Sequence, residues 1–443
     1  MSNKKINTGI AIVSVKQLNK MKYSFLVSLL FLIDTVFGQN SILIVGPTVH
    51  VGNGKVIEQG LVGIENGKVS LVRNALAFTF QKEDWDTIIY AKGNQLYPGF
   101  IAPNSTLGLT EIDAVRATLD FQEVGQFNPH IRSLTAFNTD SKVIATVRTN
   151  GVLLTQTTPR GGNISGSSSI MHLNGENWED AVILIDDGIH INWPYPYASN
   201  RWRGQINENK NYIEQLSELK DFLASAKAYL SHENNQNIDL RFEAFREVFT
   251  GTKRLYFHAN ELKQLLDIVD YVTIEKIPFP VIIGGYDSYL IADQIKDAKI
   301  SVMLPRVHNL PDREDDPTDL PYRLPFLLQQ EGVLYCIQNE GDMEAMNARN
   351  IPFLAGTAKA YGLTEEEAIQ AITMNPAKIM GISHLVGSIE EGKNACLFIS
   401  EGNALDMLTN HVSMAIVSGK FVNLSNHQTD LYEKYKAKYE RKN

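Results

Sequence analysis

The chain has 443 residues, 44% of them hydrophobic and 21% charged, which is an ordinary globular composition with material for one large domain and a smaller one. A formal net charge of -9 and a pI near 5.6 argue against a broad nucleic-acid or anionic-membrane surface, so no nucleic-acid partner is expected. The two cysteines, Cys336 and Cys396, make no disulfide framework. Each lies in an apolar run and reads as a small buried side chain, with a single bridge open if the two prove close.

In chain order, Lys22 and Tyr23 precede an apolar run over residues 24–33, followed by Gly38 and Gln39. A run of about ten apolar residues fits the core of a signal peptide and falls short of the ~20 needed to span a bilayer. Residues 1–38 are therefore expected to be a signal peptide cleaved after Gly38, leaving an exported periplasmic or extracellular protein with no membrane contact. Residues 1–20 make a long polar lead, so Met21 is an alternative start, and an uncleaved anchor is the alternative to cleavage.

Short strands are predicted over residues 41–46, 60–64 and 69–72, with Asn66-Gly67 as a hairpin turn. Alternating strands and glycine turns return at residues 386–399 and 412–422. Residues 39–97 and 386–424 are thus expected to build one composite β-sandwich, with residues 425–443 forming a C-terminal helical tail. Between them, residues 98–385 alternate strand-like and amphipathic stretches, the pattern of a parallel α/β fold. Predicted strands lie at 142–146, 152–155, 255–258, 281–285, 300–304 and 333–337. Predicted helices run from Glu261 to Asp270, Tyr289 to Lys296 and Thr364 to Thr373, the last opened by a Thr364/Glu367 capping box. Periodicity alone does not separate an open sheet from a closed barrel.

Two motifs favour the barrel. The first is Leu96-Tyr97-Pro98-Gly99-Phe100-Ile101-Ala102-Pro103-Asn104-Ser105-Thr106, an apolar strand led by Pro-Gly. The second joins the 361–369 helix to Met374-Asn375-Pro376-Ala377-Lys378, Gly381 and then Gly387-Ser388-Ile389-Glu390-Glu391-Gly392-Lys393. In this order, spanning about residues 41–424, the chain resembles the amidohydrolase superfamily, in particular its imidazolonepropionase-like branch. The resemblance implies a TIM-like (β/α)8 barrel. Asn394 and Cys396 depart from it, standing where the family usually has aspartates.

The departures at the site are larger. The resemblance places a His-x-His pair on the first barrel strand, because two imidazoles two residues apart on a strand project to one side and reach one ion. Here those positions are Asn104 and Thr106. An amide and a hydroxyl bind zinc or iron poorly without charged or imidazole partners. On the fifth strand His258 keeps a ligand position, on the sixth Gly284 and Gly285 replace one, and on the eighth Gln338 and Asn339 stand near the usual aspartate, with Glu340 and Asp342 close by. The ten histidines fall no closer than 16 positions apart (His411 and His427), so neither His-x-His nor a helical i, i+4 pair exists. His258 alone could be an inert pocket histidine. A site built by His258, His308 and Asp342 is the best alternative, and Lys253 lies too early to serve as a carbamylated lysine.

The glycine-rich run 158–169 offers Arg160 either as a clamp for an anionic group or as the partner of a nearby acid. Residues 306–317 overhang the mouth with charges read as a solvated face. Trp178, Trp193 and Trp202, with Tyr195 and Tyr197, form an aromatic insertion expected to pack as cover rather than wall a pocket or contact a subunit. The expected pocket comprises Asn104, Thr106, Arg160, His258, Gly285, Gln338 and Asn339, with Asp342, Glu340 and His258 as candidate acid–base residues. The first expectation is a catalytically impaired binding protein or partner subunit that takes a small-molecule ligand and no cofactor. The alternative is an active hydrolase of C–N bonds, in non-peptide amides or small peptides, using zinc or another divalent ion at a relocated site. A homo- or hetero-oligomer is left open.

Overall fold

The computed structural model describes residues 41–200, 205–232 and 237–440. The expected signal peptide, Trp202 and the last three residues of the tail lie outside the described residues. Among the described residues, no helix is long and apolar enough to cross a membrane.

Seven strands come first: β1 (Ile42–Val45), β2 (Thr48–His50), β3 (Val56–Ile57), β4 (Gly60–Glu65), β5 (Lys68–Asn74), β6 (Thr87–Tyr90) and β7 (Gln95–Pro98). The β4–β5 turn has Asn66 at φ 53° and Gly67 at φ 76°, the two positive-φ residues that a tight hairpin matching the strand twist requires. The strands then enter the large sheet through β8 (Phe100–Ser105), β9 (Val152–Thr157), β10 (Ile164–His172) and β11 (Val182–Asn192). After a hairpin, β12 (Tyr197–Asn200) and β13 (Gln205–Glu208), the sheet resumes with β14 (Arg254–Ala259), β15 (Pro280–Gly284), β16 (Ser301–Leu304) and β17 (Tyr335–Ile337). The chain closes with β18 (Cys396–Ser400), β19 (Val412–Val417), β20 (Lys420–Phe421) and the helix His427–Glu440.

Both chain ends feed the small sheets. One has the order β5-β4-β1-β6 and the other β20-β19-β18-β7-β2-β3. Ile42, Ile44, Val62 and Ile64 of the first share an apolar core with Leu397, Ile399 and Ile416 of the second.

The eight-stranded sheet has the order β17-β16-β15-β14-β11-β10-β9-β8 and is nearly closed. No ladder joins β17 to β8. Instead residues 371 and 372 bridge the seam: the Ile337 amide donates to the Ala371 carbonyl at 3.0 Å and the Ile101 amide to the Ile372 carbonyl at 2.9 Å. The architecture agrees with a TIM-like barrel with one correction: β10 runs antiparallel to both neighbours. The reason is local, since only residues 158–163 separate β9 from β10, too few for the crossover that a parallel pair requires.

A second correction concerns residues 142–146, expected as a strand and observed within the helix Lys142–Arg148. Val143, Ile144 and Val147 bury one face at helical spacing, and the Ser141 hydroxyl caps the helix by accepting from the Val143 amide at 3.2 Å. The run of β-branched residues suggested a strand, and packing against the barrel overrode that preference. The predicted helices are found as Leu262–Glu275, as a 3-10 turn leading into Ala292–Asp297, and as Glu365–Gln370 with its Thr364/Glu367 capping box formed. Cys336 and Cys396 are both buried and free.

Candidate functional site at the barrel mouth

The first barrel strand ends in a distortion written into its sequence. Pro103 has no amide to give the ladder, and the β8–β9 register shifts between Ala102 and Ser105. Asn104 takes up the shift at φ 47°, left-handed backbone that costs most residues energy and that asparagine tolerates best. Its amide, freed from the ladder, donates to Gln156 Oε1 at 3.0 Å.

The Asn104 side chain is then fully committed. Its Nδ2 donates to Glu340 Oε2 at 3.1 Å and Gln338 Oε1 at 3.3 Å, while Oδ1 accepts from Arg160 Nη1 at 2.9 Å. Arg160 comes from the β9–β10 loop, whose Gly161 and Gly162 have positive φ. Its Nη2 binds the Asn104 carbonyl at 2.9 Å and pairs with Glu344 at 3.0 Å. Of the two roles open to this arginine, pairing with an acid is the one observed. Gln338 Nε2 donates to Glu340 Oε2 at 3.1 Å, and the two bonds from Asn104 tie this eighth strand end to the first.

Below this layer lies a chain of buried polar groups that sequence reasoning missed. The Asp187 carboxylate accepts from Tyr256 Oη at 2.5 Å, Ser168 Oγ at 2.7 Å and Gln156 Nε2 at 2.9 Å. The Ser168 proton is spent on Asp187, so Ser168 accepts from His190 Nε2 at 2.8 Å. His190 Nδ1 must then accept from His258 Nε2, 3.0 Å away. The network thereby assigns both imidazoles as neutral Nε2–H tautomers and leaves His258 Nδ1 as the open acceptor. The weak signals for this layer were Gln156 between two threonines in β9 and the Asp187/His190 pair in β11.

Electrostatics keeps both histidines neutral. Burial pushes the Asp187 carboxyl up, against the three hydrogen bonds that favour its anion. Burial, followed by His258 and Arg160, drives His190 well below its usual value. Burial and then Arg160 depress His258 to about 3. A histidine that weakly basic stays neutral at pH 7 and is poorly matched to proton abstraction, which favours a group titrating near the working pH.

The remaining expected residues divide. Thr106 is buried beyond the strand end, its carbonyl accepting from the Leu109 amide at 2.8 Å. Gly285 has φ 68°, and a side chain there would run into Val302 on the next strand, so this position faces the barrel wall rather than offering a donor. Asn339 Nδ2 donates to the Glu344 carbonyl at 3.3 Å. The grouping of His258, His308 and Asp342 is not formed: His258 is held by His190, and exposed His308 meets Thr357 Oγ1 at 2.6 Å. Among the described residues, no three His, Cys, Asp or Glu side chains could hold one metal ion. Asn104, Gln338, Thr106, Gly285 and His258 offer two amides, a hydroxyl, a glycine and one imidazole, and both amides are already hydrogen-bonded, to Arg160 or Glu340. This set does not fit a catalytic transition metal, which needs at least three convergent ligands.

A cavity of about 340 Å³ opens at the ends of β14 to β17, lined by Asn260, Tyr286, Arg306, Asp312, Glu340 and Asp342 among others. The charges of residues 306–317 were expected to be a solvated face, and Arg313 corrects this. It forks onto buried Asp287, lies 3.3 Å from Asp316 and 3.7 Å from Glu261, and so staples the loop beside the cavity. A larger cavity, about 520 Å³, lies outside the barrel between the helix Ile351–Ala360 and residues 403–407 and touches none of these groups. Trp193 packs against Phe257 and Tyr271 and Trp178 against the main core, both as cover; Tyr195 and Tyr197 form an edge-on pair.

Comparison with known proteins places this geometry. Residues 333–423 match the amidohydrolase family. No curated protein matches the chain. Among solved structures, an amidohydrolase from Thermotoga maritima MSB8 is similar at 23% identity and TM-score 0.74, covering 86% of this chain and 99% of that one. A prolidase complexed with N-methylphosphonate-L-proline is similar at 14% identity and TM-score 0.52, with coverages of 86% and 99%. A zinc-bound adenosine deaminase from Xanthomonas campestris gives 13% identity, TM-score 0.52 and coverages of 90% and 98%. The chain therefore has the fold of amidohydrolases and carries a segment of that family over residues 333–423.

Proposed function

We propose that this chain is an exported, amidohydrolase-like protein of the imidazolonepropionase-like kind that binds a small molecule at the barrel mouth and has lost metal-assisted hydrolysis. One observation carries the reading: the groups where an ion would sit satisfy one another. Arg160, Asn104, Gln338 and Glu340 form a closed hydrogen-bonded set, and His258 is engaged by His190. Water at neutral pH is a poor nucleophile unless an ion lowers its pKa toward ~7, so a mouth without ligands lacks the usual source of hydroxide. The cavity beside this set supports a retained binding role. The run over residues 24–33 supports export, and the shared core of the two small sheets supports a composite sandwich built from both chain ends.

The test is hydrolysis of a panel of cyclic amides and dipeptides by the purified mature protein, with and without added zinc or manganese. Absence of metal-stimulated turnover is expected. Turnover that requires the ion and disappears in His190→Ala and His258→Ala variants would establish the rival reading, an active C–N hydrolase with a relocated metal site.

A further inference from the structure

No residue of the helix His427–Glu440 is buried. The helix is held to the body near its start, where Thr146 Oγ1 donates to Gln428 Oε1 at 3.1 Å and the Thr429 amide donates to Asn426 Oδ1 at 2.9 Å. Beyond that point it presents Tyr432, Tyr435 and Tyr439 at 62%, 48% and 62% exposure, with Leu431 beside them at 37%. At about 100° per residue these four side chains share an arc of roughly 100°. Such a face loses free energy to water, and among the described residues nothing covers its tyrosines.

The charges around the face are sorted. Lys434, Lys436 and Lys438 each fall within roughly 60° of an edge of the arc, whereas Asp430, Glu433 and Glu440 lie at least about 80° outside it. The ammonium groups accordingly stand beside the rings: Lys436 Nζ is 5.7 Å from the Tyr432 centroid, Lys434 Nζ 5.9 Å from that of Tyr435 and Lys438 Nζ 5.9 Å from that of Tyr439. None of the three forms an ion pair among the described residues, although Asp430 and Glu440 sit four positions from Lys434 and Lys436. The sequence continues with Arg441 and Lys442, so residues 427–442 carry five cations and three acids in a chain of net charge -9.

Tyrosines flanked by unpaired lysines complement a surface that is apolar beneath, wet above and negative throughout, which is the headgroup level of an anionic bilayer. There the rings enter the acyl boundary with their hydroxyls among the headgroups, and the lysine stems reach the phosphates. A second copy of the chain complements it poorly. Pairing the face with itself sets lysine flanks against lysine flanks in either orientation and buries three tyrosine hydroxyls that need partners.

We infer that the helix His427–Glu440 is a docking surface for an anionic phospholipid bilayer, with its tyrosine face inward and Lys434, Lys436 and Lys438 at the phosphates. A net charge of -9 argues against a broad lipid-binding surface, and this one is local, so it departs from the expectation of no membrane contact. It needs no part of the barrel mouth.

Flotation of the mature protein with phosphatidylcholine vesicles containing about 30% phosphatidylglycerol, against vesicles of phosphatidylcholine alone, tests it. Binding to the anionic vesicles is expected at about 50 mM salt and its loss at about 500 mM, with no binding to phosphatidylcholine alone. Lys434→Gln, Lys436→Gln and Lys438→Gln together should weaken partition about 100-fold, at roughly fivefold per lysine. Tyr435→Ser with Tyr439→Ser should weaken it at least about tenfold. No binding to either vesicle, equal binding to both, or binding unchanged in either variant overturns the inference. So does a lysine-dependent dimer seen by light scattering without vesicles, since a second copy would then cover the face. Circular dichroism of each variant excludes loss of fold as the cause of weak binding.

Discussion

Acid is expected to attack this protein through its buried histidine pair. His190 and His258 are neutral in the fold, share a hydrogen bond of 3.0 Å and have no place for a further proton between them. His258 titrates near 3 and His190 well below its ordinary value, both because of burial, whereas an unfolded imidazole titrates near ~6.5. Below that pH the unfolded chain binds protons that the folded chain refuses, so stability is present above ~6.5 and lost as pH falls. The slope is about 1.4 kcal/mol per pH unit for each imidazole. Between about pH 6.5 and pH 5 His258 removes about 2 kcal/mol, and His190 adds to the loss in the same direction. Asp187 acts with the opposite sign, because its folded carboxyl is raised, and it offsets part of the loss at the acid end. Urea unfolding followed by tryptophan fluorescence at about pH 7 and pH 5 measures the difference. The variant His258→Asn should lose about 2 kcal/mol less over that interval than the parent protein. Equal losses in the two proteins would refute the claim that the neutral pair is the acid-sensitive element.

Asp187→Asn should destabilise the fold by about 2–4 kcal/mol in the same assay, because an amide cannot accept from Tyr256, Ser168 and Gln156 at once and leaves a buried donor unpaired; a change within ~0.5 kcal/mol would contradict this. Arg160→Met should cost about 3 kcal/mol, since it strands the half-buried Glu344 and the Asn104 oxygen, and Glu344→Gln in that background should recover part of the loss. Gly284→Ala should cost about 1–3 kcal/mol and weaken ligand binding, as its backbone is at φ 98° and a methyl there would press on the Asn260 side chain at the cavity wall. Both cysteines should resist a thiol reagent in the native protein and react once urea is added, since burial pushes their thiols well up.

The legible parts of the sequence were those set by local chemistry. Asn66-Gly67, the Thr364/Glu367 capping box and the apolar strands β14 to β17 each contain their own instruction. Residues 142–148 did not, because the same β-branched run suits a strand or a helix until the barrel surface selects the buried face. The reversal of β10 hid in the length of a loop. At the site, Asn104 and Gln338 were legible one at a time, but their mutual satisfaction with Glu340 and Arg160 was not. The bond from Asn104 to Glu340 crosses 236 positions and that from His190 to His258 crosses 68, so no local pattern announces them. Asp187 was passed over for the same reason: its three donors come from three different strands.

The central claim concerns donor chemistry, and elemental analysis tests it most directly. Protein purified without chelators, dialysed against equimolar zinc, manganese or iron(II) and then against buffer, is examined by inductively coupled plasma mass spectrometry. Metal far below one ion per chain, with fold intact by circular dichroism, is the predicted result. One tightly held ion per chain, lost in a His190→Ala, His258→Ala double variant, would contradict the account.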